Sequence, residues 1–191
     1  MEKQLLRKLY LEKRKSLTPQ EVDQLSTAIL KQFQSLDFQS VKLLHTYYPI
    51  AGKFEFNTQI LTEWLRQAHP EIMLVLSKSD LQNHTLQHII WERETPLAMN
   101  QWGITEPTDG ETVAATEIDM VLIPLLAYDL DGNRIGYGKG FYDRFLADCK
   151  PACLKVGISF FAPVDESFET NEHDIPLDLC LTPEKIWHFK K

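Results

Sequence analysis

Residues 118–146 read IDMVLIPLLAYDLDGNRIGYGKGFYDRFL. The first twelve are apolar and β-like, and Asp131-Gly132 marks a turn after them. Gly136, Gly138 and Gly140 then lead into a helix expected from about Gly140 to Asp148, with Phe141, Tyr142, Phe145 and Leu146 as its apolar positions. Strand, glycine loop and helix N-terminus in that order form half of an α/β unit. The same order suits an anion, because bare N–H groups approach it closely and the helix dipole favours negative charge. Arg134 and Lys139 would add full positive charges, and Asp143 falls in the first helical turn, where a divalent ion bridging phosphate oxygens is held. A plain tight turn remains the alternative, since glycine punctuation is often only a loop. Neither common nucleotide fingerprint fits: Gly140 stands where a P-loop needs Ser or Thr, and Phe141 where the dinucleotide motif needs Gly or Ala.

Upstream, Leu5, Leu6, Leu9 and Tyr10 recur at helical spacing, which predicts an amphipathic helix over 2–15. Thr18-Pro19-Gln20-Glu21 is a capping-box start for a second helix running to about Ser35. VKLLHTYY (41–48) predicts a strand, Asn57 the cap of a helix through Ala68, and IMLVLS (72–77) and LQHIIWE (86–92) two further strands. Residues 93–116 read as loop, LKVGISF (154–160) as a strand, FETNEHDIPLD as loop and KIWHF as a last short strand. Helices alternating with buried strands imply an α/β fold: three layers, a largely parallel sheet and helices on both faces. With 191 residues and no linker or repeat, a single domain over 1–191 is expected.

The net charge of −7 disfavours nonspecific nucleic-acid binding. Residues 1–15 nevertheless carry +4, so the other 176 carry −11. Lys3 and Arg7 lie four residues apart on one helix face, with Arg14 two turns on, either as a phosphate clamp or as a solvated basic face. Glu55, between a strand end and a helix cap, is either a surface glutamate or an acceptor for an amino-bearing ring. Asp174 and Asp178 in HDIPLD are each candidates to join Asp143 on a metal, or simply solvated loop acids. Three sparse cysteines, no membrane-length apolar run and no signal-peptide core predict a cytoplasmic chain without membrane contact.

NRIGYGKGFYDRFL (133–146), with KQLLR (3–7), EFNT (55–58), WGITEP (102–107) and LIPLLAYD (122–129) in that order, resembles the 5-formyltetrahydrofolate cyclo-ligase family along essentially the whole chain. The resemblance implies a NagB/RpiA/CoA-transferase-like fold. It also implies ATP- and Mg2+-dependent conversion of 5-formyltetrahydrofolate, with or without a polyglutamate tail, to 5,10-methenyltetrahydrofolate. By that resemblance Lys3, Arg7, Arg134, Ile135, Gly136, Tyr137, Gly138, Lys139, Gly140, Phe141 and Tyr142 contact ATP, with Lys139 and Arg134 stabilising the transferring phosphoryl. Ile50, Glu55, Trp102 and Tyr137 through Phe141 contact the folate, and Asp143 and Asp178 hold Mg2+. A monomer is the expected state. Leu125, where the family often has glycine, together with Tyr128 and Tyr137, departs from the usual pattern. A sugar-phosphate or CoA-ester enzyme would explain the glycine loop but not Lys3 and Arg7 combined with Glu55. A non-catalytic folate- or nucleotide-binding module is the remaining alternative.

Overall fold

A computed structural model describes residues 2–50 and 52–189. Its centre is β7 (Met120–Pro124), flanked by β1 (Leu43–His45) and β10 (Leu154–Ile158), with β2 (Met73–Asp80) and β11 (Leu179–Leu181) beyond them, all five parallel. Antiparallel strands close the edges: β12 (Ile186–His188) on β11, and β3 (Thr85–Ile90) then β6 (Thr112–Val113) beside β2. The eight-stranded order is β12-β11-β10-β7-β1-β2-β3-β6. The expected α/β architecture with a largely parallel centre is what the chain forms.

Alternation along β7 shows why. Met120 and Leu122 point to one face, where they meet Ile29 and Phe33 of α2 (Pro19–Gln34) and Leu61 and Leu65 of α3 (Gln59–Ala68). Val121 and Ile123 point to the other, against Phe145 and Leu146 of α4 (Phe141–Asp148). A strand buried on both faces has no polar side, as its sequence announced. The first helix, α1 (Lys3–Lys15), lies elsewhere: Leu6 and Tyr10 pack on Leu126, Ala127, Ile135 and Phe168.

Local chemistry set most boundaries. Thr18 and Glu21 form the expected reciprocal cap at α2. At α3 the N-cap is Thr58, one residue later than predicted; Asn57 Oδ1 instead accepts from Gln59 N at 3.1 Å. The strand expected over 41–48 is confined to Leu43–His45, because the chain then leaves the sheet toward the site. The segment 93–116 contains a small hairpin, β4 (Leu97–Met99) with β5 (Thr105–Pro107). The strand β11 lies directly after a stretch read only as loop.

Candidate functional site

The glycine segment is entered differently from the simple strand–loop–helix reading. Between β7 and the glycines the chain makes a second hairpin, β8 (Ala127–Tyr128) with β9 (Arg134–Ile135). Buried Asp129 holds its turn, accepting from Asp131 N at 3.0 Å and from Asn133 N and Nδ2 at 2.9 Å each. The chain then runs through Gly136 to Gly140, with Gly138 at φ +85° and Gly140, the N-cap of α4, at φ +70°. Both angles are left-handed and favour glycine. No side chain caps the first turn of α4.

This turn borders a cavity of about 1170 Å3. Single small-molecule pockets usually hold about 300–1,000 Å3, so this one has room for a large ligand or two adjoining ones. Thr46, Ser77 and Pro124, at or beyond the carboxyl-terminal halves of β1, β2 and β7, form its floor. That is where ligands collect in parallel α/β sheets. Its walls carry six basic side chains, Lys3, Arg7, Lys53, Arg134, Lys139 and Arg144, against Glu55, Asp143, Glu172 and Asp174. In a chain of net charge −7, this concentration of cations creates a local field for an anion.

Lys3 and Arg7 reach the cavity because Leu6 and Tyr10 dock α1 beside the glycine turn. Arg7 Nε donates to Gly136 O at 3.0 Å, and a Cβ on Gly138 would stand 3.2 Å from the Arg7 guanidinium carbon. Lys3 pairs with Asp174. Against burial, which raises it, the Lys3 ammonium and the Asn171 N–H hold the Asp174 carboxyl below its ordinary range. Arg134 Nη2 donates to Asp143 Oδ1 at 2.7 Å, an oxygen that also accepts from Ile175 N at 3.3 Å. Burial lowers the Arg134 pKa, while the charges of Asp143 and Asp174 favour its protonated form.

Glu55, which also lines the cavity, is fixed through both oxygens. Ile50 N donates to Oε2 at 2.6 Å and the Tyr137 hydroxyl to Oε1 at 2.7 Å. Desolvation raises the Glu55 pKa, and those two donors, with the charges of Arg14 and Lys53, oppose the rise. Trp102, in the β4–β5 loop, meets the Phe141 ring edge-on at 6.4 Å and lies 5.7 Å from Lys139 Nζ.

Lys3, Arg7, Ile50, Glu55, Trp102, Arg134, Gly136 through Tyr142 and Asp143 therefore all line one cavity. Two expected residues do not join them. The Ile135 side chain, expected to contact ATP, is buried with Leu6 in the apolar cluster beneath α1 and does not line the cavity. The carboxylate of Asp178 accepts from Lys155 N at 2.8 Å and Lys155 Nζ at 3.2 Å, at the amino ends of β10 and β11. It is not brought together with Asp143; Asp174 is the second loop acid that reaches the cavity. Asp143 and Asp174 both flank Arg134, and as hard oxygen donors they fit a magnesium-like ion that keeps waters and takes phosphate oxygens. Among the described residues no group of three or more His, Cys, Asp or Glu forms a complete protein cage.

Sequence reasoning left Arg14 on a basic helix face, whereas it is 4% exposed and turned inward. Its signal was present: Leu6, Tyr10 and Arg14 follow one another at four-residue intervals, so Arg14 continues the buried stripe. Lys53 and Ser77 carried no comparable pattern.

The family model described as "5-formyltetrahydrofolate cyclo-ligase family" matches residues 1–183. A 5-formyltetrahydrofolate cyclo-ligase of Escherichia coli K12 is 28% identical over 183 residues, spanning 93% of this chain and 98% of the relative. One from Mycoplasma pneumoniae is 27% identical over 96% of this chain and 100% of its own length. Among solved structures, a 5,10-methenyltetrahydrofolate synthetase of Aquifex aeolicus superposes with a TM-score of 0.84 at 32% identity, covering 100% of this chain and 94% of that one. The Mycoplasma pneumoniae synthetase gives 0.76 at 28% identity, covering 96% and 100%.

Proposed function

This chain belongs to the 5-formyltetrahydrofolate cyclo-ligase family, and from that premise we propose that residues 1–191 form one domain converting 5-formyltetrahydrofolate to 5,10-methenyltetrahydrofolate, with ATP cleaved to ADP and phosphate. The observation that carries this reading is the joining of two unlike sites in one cavity. A cationic side built from Lys3, Arg7, Arg134, Lys139 and the uncapped α4 N-terminus adjoins a side built from Glu55, Ile50 and Trp102. The first suits phosphates and the second a flat ring bearing N–H donors.

The formyl group is an amide, and its oxygen leaves poorly. Transfer of the γ-phosphoryl to that oxygen makes it a good leaving group. The neighbouring nitrogen then attacks the formyl carbon, and phosphate departs as the ring closes. No protein nucleophile is required, so the chain's contribution is position and charge. Lys3 and Arg7 steady the phosphate chain from α1, while Gly136 to Gly140 bring backbone N–H groups beside it. Lys139 and Arg134 offset charge on the transferring phosphoryl. Asp143 and Asp174 would hold Mg2+, which supplies charge neutralisation across the phosphate oxygens. Glu55 orients the pterin ring, and Trp102 and Phe141 wall it from water.

The test mixes the full chain with 5-formyltetrahydrofolate and MgATP and follows the ultraviolet band of the conjugated methenyl product. An ATP-dependent rise is expected, falling about 10²–10³-fold in Lys139→Ala. Binding of both ligands without any rise would leave the non-catalytic alternative standing.

A further inference from the structure

Arg14 is the one nearly inaccessible arginine of α1 and has no part in the phosphate arrangement above. Its Nη2 donates to the Leu125 carbonyl, which anchors the guanidinium beneath the cavity. Its Nη1 donates to the Tyr137 hydroxyl oxygen at 3.2 Å. An arginine has donors only, so the phenol oxygen must act there as acceptor. The phenol's single hydrogen is then directed elsewhere, and Glu55 Oε1 lies 2.7 Å away. The order of donation has one direction: Arg14 to Tyr137 to Glu55.

Counting acceptors shows what this leaves. A carboxylate has about four lone-pair positions. Tyr137 takes one on Oε1 and the Ile50 N–H takes one on Oε2. One acceptor position stays open on each oxygen, a pair that matches two adjacent N–H donors on the edge of a ring.

We propose that Arg14 is a positioning residue that acts through the Tyr137 hydroxyl, fixing the direction of that hydrogen bond and thereby holding Glu55 as a two-acceptor carboxylate toward the ring of the folate. This rests on Glu55 facing the folate, as in the proposed function. The charged and titratable groups around Glu55 are Arg14 of α1, Lys53 of its own loop, Tyr137 of the glycine turn, Tyr47 beyond β1 and Tyr142 of α4. Burial raises the Glu55 pKa, while Arg14 and Tyr137 oppose that rise.

The first readout needs no ligand: the carboxyl carbon-13 titration of Glu55 in the full chain, assigned by its loss in Glu55→Gln. The midpoint moves to higher pH in Arg14→Met and in Tyr137→Phe, and Arg14→Lys restores part of the difference. The second readout is kinetic. In both variants KM for 5-formyltetrahydrofolate rises about tenfold, the loss of one charge-assisted hydrogen bond, while KM for ATP holds. The double variant is no worse than Tyr137→Phe alone, because the effect of Arg14 runs through the hydroxyl. An unmoved or lowered Glu55 midpoint in Tyr137→Phe overturns the proposal, as does a parallel rise in KM for ATP or an additive double variant. Should Arg14→Met fail to fold, Arg14→Lys, made in the parent and in Tyr137→Phe, decides: it raises KM for the folate in the parent and leaves Tyr137→Phe unchanged, and an effect in both overturns the proposal. Absence of turnover in the parent protein would overturn the proposed reaction, and the ligand-free titration would still decide the relay.

Discussion

Two aspartates four residues apart, Asp174 and Asp178, have opposite positions in this molecule. Asp174 reaches the cavity beside Lys3, and Asp178 braces the amino ends of two strands through Lys155. An extended chain advances at most about 3.3–3.6 Å per residue, so four residues carry it up to about 13 Å, from the cavity toward the amino ends of the strands. Sequence spacing alone does not show that reversal, which is why HDIPLD offers both acids as metal candidates although only Asp174 lines the cavity with Asp143. The two variants separate on this basis. Asp174→Asn raises the Mg2+ concentration for half-maximal turnover by roughly tenfold or more. Asp178→Ala leaves that requirement alone and lowers unfolding free energy by about 1–3 kcal/mol, because Lys155 loses a partly buried acceptor. Magnesium titrations of the rate and denaturant melts of the same two proteins check the pair. Leu125, a departure from the family pattern, has a local explanation as well. A Cβ on Gly157 of β10 would come within 2.7 Å of the Leu125 side chain, so the bare glycine leaves the space that Leu125 fills.

Among the elements, long periodic segments were legible and short ones were not. The capping box of α2 and the two-faced apolar run of β7 each carry several residues of signal. The three residues of β11, defined by pairing with β10 rather than by their own pattern, and the two-residue strands of the β8–β9 hairpin, too short to show a period, carry none. The glycine turn was legible in composition but not in its contact with α1. That contact makes Gly138 the sensitive position. Gly138→Ala must hold alanine at φ +85° and press a methyl toward the Arg7 guanidinium, a strain of about 1–2 kcal/mol. The expected result is a rise of about tenfold in KM for ATP, measured at saturating folate. An unchanged KM for ATP would separate Arg7 from nucleotide binding.

For the molecule as a whole, acid sensitivity follows from two histidines under α4. His45 Nε2 lies 2.7 Å from Ser77 Oγ, which lies 3.4 Å from His88 Nδ1, and both rings pack on Phe145. Burial holds His45 well below the usual imidazole range and brings His88 down to about 4. In the unfolded chain each titrates near its ordinary pKa of about 6.5. Between those values the unfolded chain binds protons that the folded one refuses, so stability rises with pH there. It is complete above about pH 6.5 and declines as pH falls toward 4. Glu55, raised by burial, works in the opposite sense, so a Glu55→Gln background isolates the histidines. Denaturant midpoints at pH 7.5 and pH 5 check this: the lower pH should give the lower midpoint, and His45→Asn with His88→Gln should flatten the difference.

The pairing of Lys3 with Asp174 joins side chains 171 positions apart. On a ribosome adding about 5–20 residues per second, on the order of ten to thirty seconds separate the two. For most of that interval Leu6 and Tyr10 have been made while β8 and β9, their packing partners, are still to come, and Phe168 follows only near its end. The helix that brings the first two cations to the cavity is thus made early and seated late. Synthesis on the ribosome leaves the apolar face of an amphipathic segment waiting for the elements that cover it.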